Sequence, residues 1–142
     1  MSPPVPPRLG VYIDGQNLFH SAMEAFGTGY HWPSFDCLKL ANLLLGDFPG
    51  AVLGGVSFYT GVPSLSMDPY WHGFWTNKLA GMGRSGIRVY RGRVNAFRRE
   101  KGVDVHLAID LMRDFMMGRC DIVAIVSQDR DFDGVVSSVK DL

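Results

Sequence analysis

Short apolar runs alternate with helical patterns along this chain of 142 residues. Four runs rich in β-branched and aromatic residues predict strands, at 8–14, 51–61, 86–94 and 120–127. Apolar positions at helical spacing predict helices at 15–27, 34–47 with Ser34 as its N-cap, 66–83, 103–118, and from 131 onward. The first and last strands are apolar on both faces, which is typical of a parallel sheet covered by helices on each side. The pattern therefore predicts an α/β domain of three layers with a mainly parallel central sheet.

Length and composition favour a single folded domain. The chain is 46% hydrophobic and 20% charged, which is too apolar for intrinsic disorder. No apolar run approaches the roughly 20 residues that span a membrane, so we expect no membrane association. Residues 1–8 are rich in proline and lack the features of a secretory signal, which predicts a disordered leader before a domain at 9–142. Two distant cysteines without metal-ligand spacing fit buried free thiols and a cytoplasmic protein.

Aspartates follow two of the predicted strands. Asp14 ends the first strand, and Asp129 and Asp131 come directly after the last strand. Because parallel strands end at one edge of a sheet, where sites in such folds form, we expect these carboxylates to lie close together. Each of them taken alone fits an Asx-turn or a helix N-cap about as well. Asp133 falls in the first turn of the final predicted helix and stays ambiguous.

The helix at 103–118 adds a further acid. At about 100° per residue, Asp104 lies within about 20° of Leu111 and Phe115, so its carboxylate is predicted to point inward. Complementing the helix dipole is the alternative for an acid in the first turn. Asp110 and Asp114 project away from this stripe and are predicted to be solvated surface acids.

Several carboxylates brought together need positive compensation, because like charges raise one another's pKa. A divalent cation with oxygen ligands is the simplest compensation, and an all-aspartate set fits Mg²⁺ or Mn²⁺ better than zinc. The predicted metal ligands are Asp14, Asp104, Asp129 and Asp131. Asn17, in "DGQN", is placed to orient a carboxylate, water or phosphate, or is an ordinary polar residue of a first helical turn.

The stretch from 84 to 101 is strongly basic, with seven Arg or Lys residues and one acid, Glu100. Such a segment with interleaved aromatic residues fits contacts to RNA phosphates and bases, although solvation of a strand and a loop is the alternative. The predicted RNA-binding residues are Arg91, Arg93, Arg98, Arg99 and Lys101.

Three segments together resemble a known family. In order and spacing, "VYIDGQNLF", "KGVDVHLAIDLM" and "VSQDRDFDGVV" resemble the signature segments of the NYN domain, in the LabA-like branch of PIN-like nucleases. The resemblance implies a PIN-like three-layer sandwich and metal-dependent cleavage of RNA. It implies the metal cluster at the same four aspartates, with Asn17 beside it.

The chain departs from that family pattern in two places. Gln128 stands where the family usually has a small residue, and the sequence stops at Leu142, before the family's usual last strand. A sheet edge left exposed in this way favours a homodimer.

These departures keep other functions open. The first alternative is a catalytically weak RNA-binding or regulatory protein on the same fold. A phosphatase is a further alternative, although "DGQN" lacks the second aspartate of a DxD motif.

Overall fold

The computed structural model describes residues 4–26, 36–97 and 99–127, and these form five strands and four helices. The strands are β1 (Arg8–Asp14), β2 (Val52–Val62), β3 (Arg88–Val94), β4 (Glu100–Lys101) and β5 (Ile122–Val126). The helices are α1 (Gly15–Phe26), α2 (Cys37–Leu45), α3 (Pro69–Arg84) and α4 (Val103–Met116). Within the described part of the chain, no helix is long and apolar enough to cross a membrane.

The strands form one sheet in the order β4-β3-β2-β1-β5. All pairings are parallel except that of β4, which runs antiparallel to the end of β3. The predicted mainly parallel sheet is confirmed, and β4 is an element that the sequence pattern did not predict. Because the long strands run in one direction, β1, β2, β3 and β5 all finish at the same edge, which we call the carboxyl edge.

Helices cover both faces of this sheet, as predicted. Along β1, Val11 and Ile13 belong to the core cluster shared with α2 and α3, whereas Tyr12 belongs to the cluster under α4. Side chains alternate between the two faces of a strand, so one apolar strand supplies both cores. The α/β class and the three-layer architecture of a PIN-like sandwich are thereby confirmed.

Two helix starts are fixed by aspartate caps. The side chain of Asp36 accepts hydrogen bonds from the backbone amides of Leu38 and Lys39, so α2 begins at Cys37 and Asp36 is its N-cap in place of Ser34. The side chain of Asp68 accepts a hydrogen bond from the Trp71 amide, and Pro69 occupies the first turn of α3. Such caps satisfy amides that have no partner within the helix.

The buried face of α4 differs from the predicted one. Asp110 and Asp114 are only 8% and 6% exposed, so their prediction as solvated surface acids is wrong. Asp104 is partly exposed at the margin of the buried face, so the burial predicted for it is only partial. The physical reason is that the sheet presents polar partners to α4: the hydroxyl of Tyr59 donates to Asp110, and that of Tyr12 donates to Asp114.

Candidate functional site

Asp14 lies at the carboxyl edge as the last residue of β1 and is 8% exposed. Its carboxylate accepts hydrogen bonds from the backbone amide of Asn17 at 3.3 Å and from the hydroxyl of Ser127 at 3.4 Å. Ser127 directly follows β5, so the ends of β1 and β5 meet at this carboxylate. The predicted placement of Asp14 at the sheet edge, with Asn17 beside it, agrees with this geometry.

Glu100 is an acid at the same edge that the sequence reasoning did not select. Glu100 lies in the two-residue strand β4, where it pairs with Val94 at the end of β3. Its carboxylate accepts a hydrogen bond from the backbone amide of Gly61 in β2. A Cβ at Gly61 would lie 2.8 Å from Cγ of Glu100, so glycine is the residue that admits this side chain. One feature of the sequence could have identified Glu100: it is the single acid of the basic stretch from 84 to 101.

The charge environment links Glu100 to the predicted acids. Burial, together with the negative charges of Asp14 and Asp104, raises the pKa of Glu100 to about 7, although the hydrogen bond from the Gly61 amide opposes the shift. Mutual repulsion of this kind requires the three carboxylates to share one region. They come from β1, β4 and α4, so the fold gathers acids from three separate elements.

Asp104 is the second residue of α4, and this helix begins directly after Gly102, whose φ of 83° is in the left-handed region that favours glycine. Its Oδ1 accepts a hydrogen bond from the backbone amide of Val105 at 2.9 Å. A carboxylate there is stabilised by the positive end of the helix dipole. Asp104 is therefore held beside the edge by its own helix start, partly open to solvent.

The donor chemistry of this edge suits Mg²⁺ or Mn²⁺, since all the acids offer carboxylate oxygens. Among the described residues, however, no group of three or more His, Cys, Asp or Glu side chains is arranged to hold a metal ion. Asp129 and Asp131, half of the predicted ligand set, lie outside the described residues, as does Gln128. The four-aspartate metal site therefore stays a prediction.

A second group of charged side chains lies under α4, toward the amino ends of the strands. Arg88 donates to both oxygens of Asp114, at 2.6 and 3.3 Å, and its Nε lies 3.8 Å from Asp110. Arg119 donates to Asp114 at 3.2 Å. Burial alone would raise the pKa of Asp114, but these hydrogen bonds and the one from the Tyr12 hydroxyl lower it below its usual value. The guanidinium of Arg88 thus takes part in ion pairs that hold α4 against the sheet.

The predicted RNA-binding residues that the structure describes are all exposed: Arg91, Arg93, Arg99 and Lys101. Arg91 donates a hydrogen bond to the hydroxyl of Thr76 on α3 at 3.2 Å. Arg99 and Lys101 line a surface recess together with Asn95 and Phe97, close in sequence to Glu100. Arg98 falls outside the part of the chain that the structure describes. The assignment of these residues to RNA binding stays a prediction.

Comparison with known proteins gives one match. The chain matches the family model of the NYN domain over residues 8–142. No curated protein and no solved structure matches it. The match confirms the resemblance drawn from the three sequence segments, whereas the finer LabA-like assignment stays a prediction.

Proposed function

The chain belongs to the NYN domain family of PIN-like nucleases, and from this premise we propose that it is a metal-dependent ribonuclease. It would hydrolyse phosphodiester bonds of single-stranded or structured RNA, with Mg²⁺ or Mn²⁺ as its cofactor. The observation that carries the proposal is the buried carboxylate of Asp14 at the carboxyl edge. Asp14 shares its electrostatic environment with Glu100 and Asp104, which come from two other elements.

The proposed ligands of the cation are Asp14, Asp104, Asp129 and Asp131. Once bound, a divalent cation supplies charge that neutralises the scissile phosphate and lowers the pKa of the attacking water. Hydrolysis forms one bond from the water oxygen to phosphorus and breaks one phosphorus–oxygen ester bond, whose oxygen takes up a proton.

The protein's own groups orient these participants. The backbone amide of Asn17 and the hydroxyl of Ser127 fix the Asp14 carboxylate from two sides, which limits its rotation. The side-chain amide of Asn17 follows Asp14 by one helical turn and can donate to a phosphate oxygen or a water. Glu100, with a pKa near 7, holds a proton in slightly acid solution and so reduces the repulsion at the edge.

Contacts to the RNA backbone are proposed for Arg91, Arg93, Arg98, Arg99 and Lys101. The described ones carry exposed positive charge next to the acids of the carboxyl edge, which are Asp14, Glu100 and Asp104. We call this group the acidic edge, and without neighbouring positive charge it would repel a polyanion. Arg88 is excluded from this role because its guanidinium is held by Asp110 and Asp114.

The test is cleavage of a labelled single-stranded RNA by the purified protein, with Mg²⁺ or Mn²⁺ added stepwise after treatment with EDTA. Cleavage should require the cation, and Asp14→Asn should abolish it. The matched control is Asp47→Asn, which makes the same change at an exposed aspartate in the turn after α2. Cleavage by Asp14→Asn at the wild-type rate would refute the assignment.

The same experiment decides the alternative of an RNA-binding or regulatory protein without strong catalysis. One feature of the sequence favours that alternative: Gln128, where the family usually has a small residue, directly precedes the proposed ligand Asp129. The alternative would be established if the protein bound RNA, with binding weakened by salt, and left the RNA intact at every cation concentration.

A further inference from the structure

A cavity of about 190 Å³ opens at the carboxyl edge, between the starts of α1 and α3 and the ends of β2 and β3. Its apolar walls are formed by Phe19, Met67, Trp71 and Trp75, and Gln16 and Asp68 contribute polar groups. Sites that enclose drug-sized ligands are larger, at roughly 300–1,000 Å³. The cavity therefore suits a single flat ring system.

The aromatic walls are held in place by neighbouring rings. Trp75 is 7% exposed and stacks on Phe58 of the core at a centroid distance of 6.0 Å. Trp71 meets Tyr70 and Phe74 edge to face, at 5.4 and 5.2 Å. Side chains braced in this way lose little conformational freedom when a planar ligand binds between them.

The cavity adjoins the acidic edge through shared residues. Gly61 lines it, and the amide of the same glycine donates to the carboxylate of Glu100. Gln16 also lines it and lies two positions after Asp14. A chain whose phosphate sits at the acidic edge would therefore have its neighbouring substituent within reach of the cavity.

Positive charge lies on the α3 side of the cavity as well. Arg91 donates a hydrogen bond to Thr76, the residue after Trp75, so its guanidinium lies beside the helix that carries the aromatic wall. Cationic groups next to aromatic faces are the combination that binds single-stranded nucleic acid, through phosphate contacts and base stacking. An apolar side chain of a partner protein would use the walls but would not need the flanking charge.

We propose that this cavity binds one unpaired nucleobase of the RNA whose phosphate is cleaved at the acidic edge. The proposal rests on the proposed function and adds a source of selectivity to it. A base can enter only if it is unstacked and unpaired, so the cavity favours single-stranded RNA or loops over duplex. Gln16, with both a donor and an acceptor in its amide, can pair with the polar edge of the base.

The test measures binding in EDTA, where no cleavage occurs, so that it does not depend on catalysis. Fluorescence anisotropy would compare a short single-stranded RNA with an abasic oligonucleotide of the same length and charge. Trp71→Ala should weaken binding of the base-bearing RNA at least about fivefold and leave binding of the abasic chain unchanged. Trp71→Phe should restore most of the loss, because it keeps an aromatic face.

Phe26→Ala is the matched control, since it removes an exposed aromatic ring at the end of α1 that does not line the cavity. Thermal unfolding of each variant verifies the fold. Equal weakening of both oligonucleotides by Trp71→Ala, or none, would overturn the proposal, as would duplex RNA that competes as well as the single strand. Absence of cleavage in the metal titration would refute the proposed ribonuclease activity, but it would not affect the binding of a base measured in EDTA.

Discussion

Glu100→Gln should stabilise the protein in alkaline solution and change its stability little in acid. Burial and the charges of Asp14 and Asp104 raise the pKa of Glu100 from 4.5 to about 7. The folded state therefore binds this proton more tightly than the unfolded state does. The resulting stability is fully present below pH 4.5 and is lost as the pH rises through 7.

The size of the effect follows from the same pKa. Raising the pKa from 4.5 to about 7 corresponds to roughly 3 kcal/mol at most, since partial solvent exposure lowers the cost of burying the charge. Glutamine keeps a carbonyl that can accept the Gly61 hydrogen bond, so the variant removes the charge without removing the contact.

The measurement is urea unfolding of both proteins in EDTA at several pH values from 4.5 to well above 7. The free energy of unfolding should fall with pH more steeply for the wild type than for Glu100→Gln. Added Mn²⁺ should reduce the difference, because a bound cation compensates the acidic charges. Parallel pH profiles in EDTA would refute the raised pKa of Glu100.

Three further results are expected. Asp114→Ala should destabilise the protein by about 3–5 kcal/mol in urea unfolding, because it leaves the guanidinium of Arg88 in a half-buried site with a weakened counter-charge; a loss under 1 kcal/mol would contradict this. Gly92→Ala should cost about 1–3 kcal/mol, since its Cβ would lie 2.5 Å from Cγ2 of Val103 at the start of α4; a thermal melt that matches the wild type would disprove the clash. Arg99→Gln should reduce the slope of log binding constant against log salt by about 0.7 for single-stranded RNA, and an unchanged slope would exclude a phosphate contact.

The parts of the fold that sequence predicted are those that repeat a local pattern. Alternating strands and helices indicated a parallel sheet, and Asp14, as the last residue of its strand, reached the carboxyl edge as parallel topology requires. Asn17 followed because it lies one helical turn further on. In each case the position depends on one element and on the direction in which that element runs.

The wrong predictions concern contacts between distant elements. Hydrophobic spacing placed Asp110 and Asp114 on the solvent side of α4, because the pattern contains no information about Tyr12, Tyr59 and Arg88 on the opposing sheet. Burial of these carboxylates is favourable only with those donors present.

Glu100 was missed for a similar reason. Its strand is two residues long and is defined by pairing with β3, which no periodicity in the sequence reveals.

The most direct test of the proposed metal site is a crystal of the wild-type protein soaked in Mn²⁺ and measured at a wavelength where manganese scatters anomalously. An anomalous peak within bonding distance of the Asp14 carboxylate is predicted, shared with Asp104 and Asp129. A well-ordered carboxyl edge without such a peak, or manganese bound only elsewhere, would contradict the proposed site.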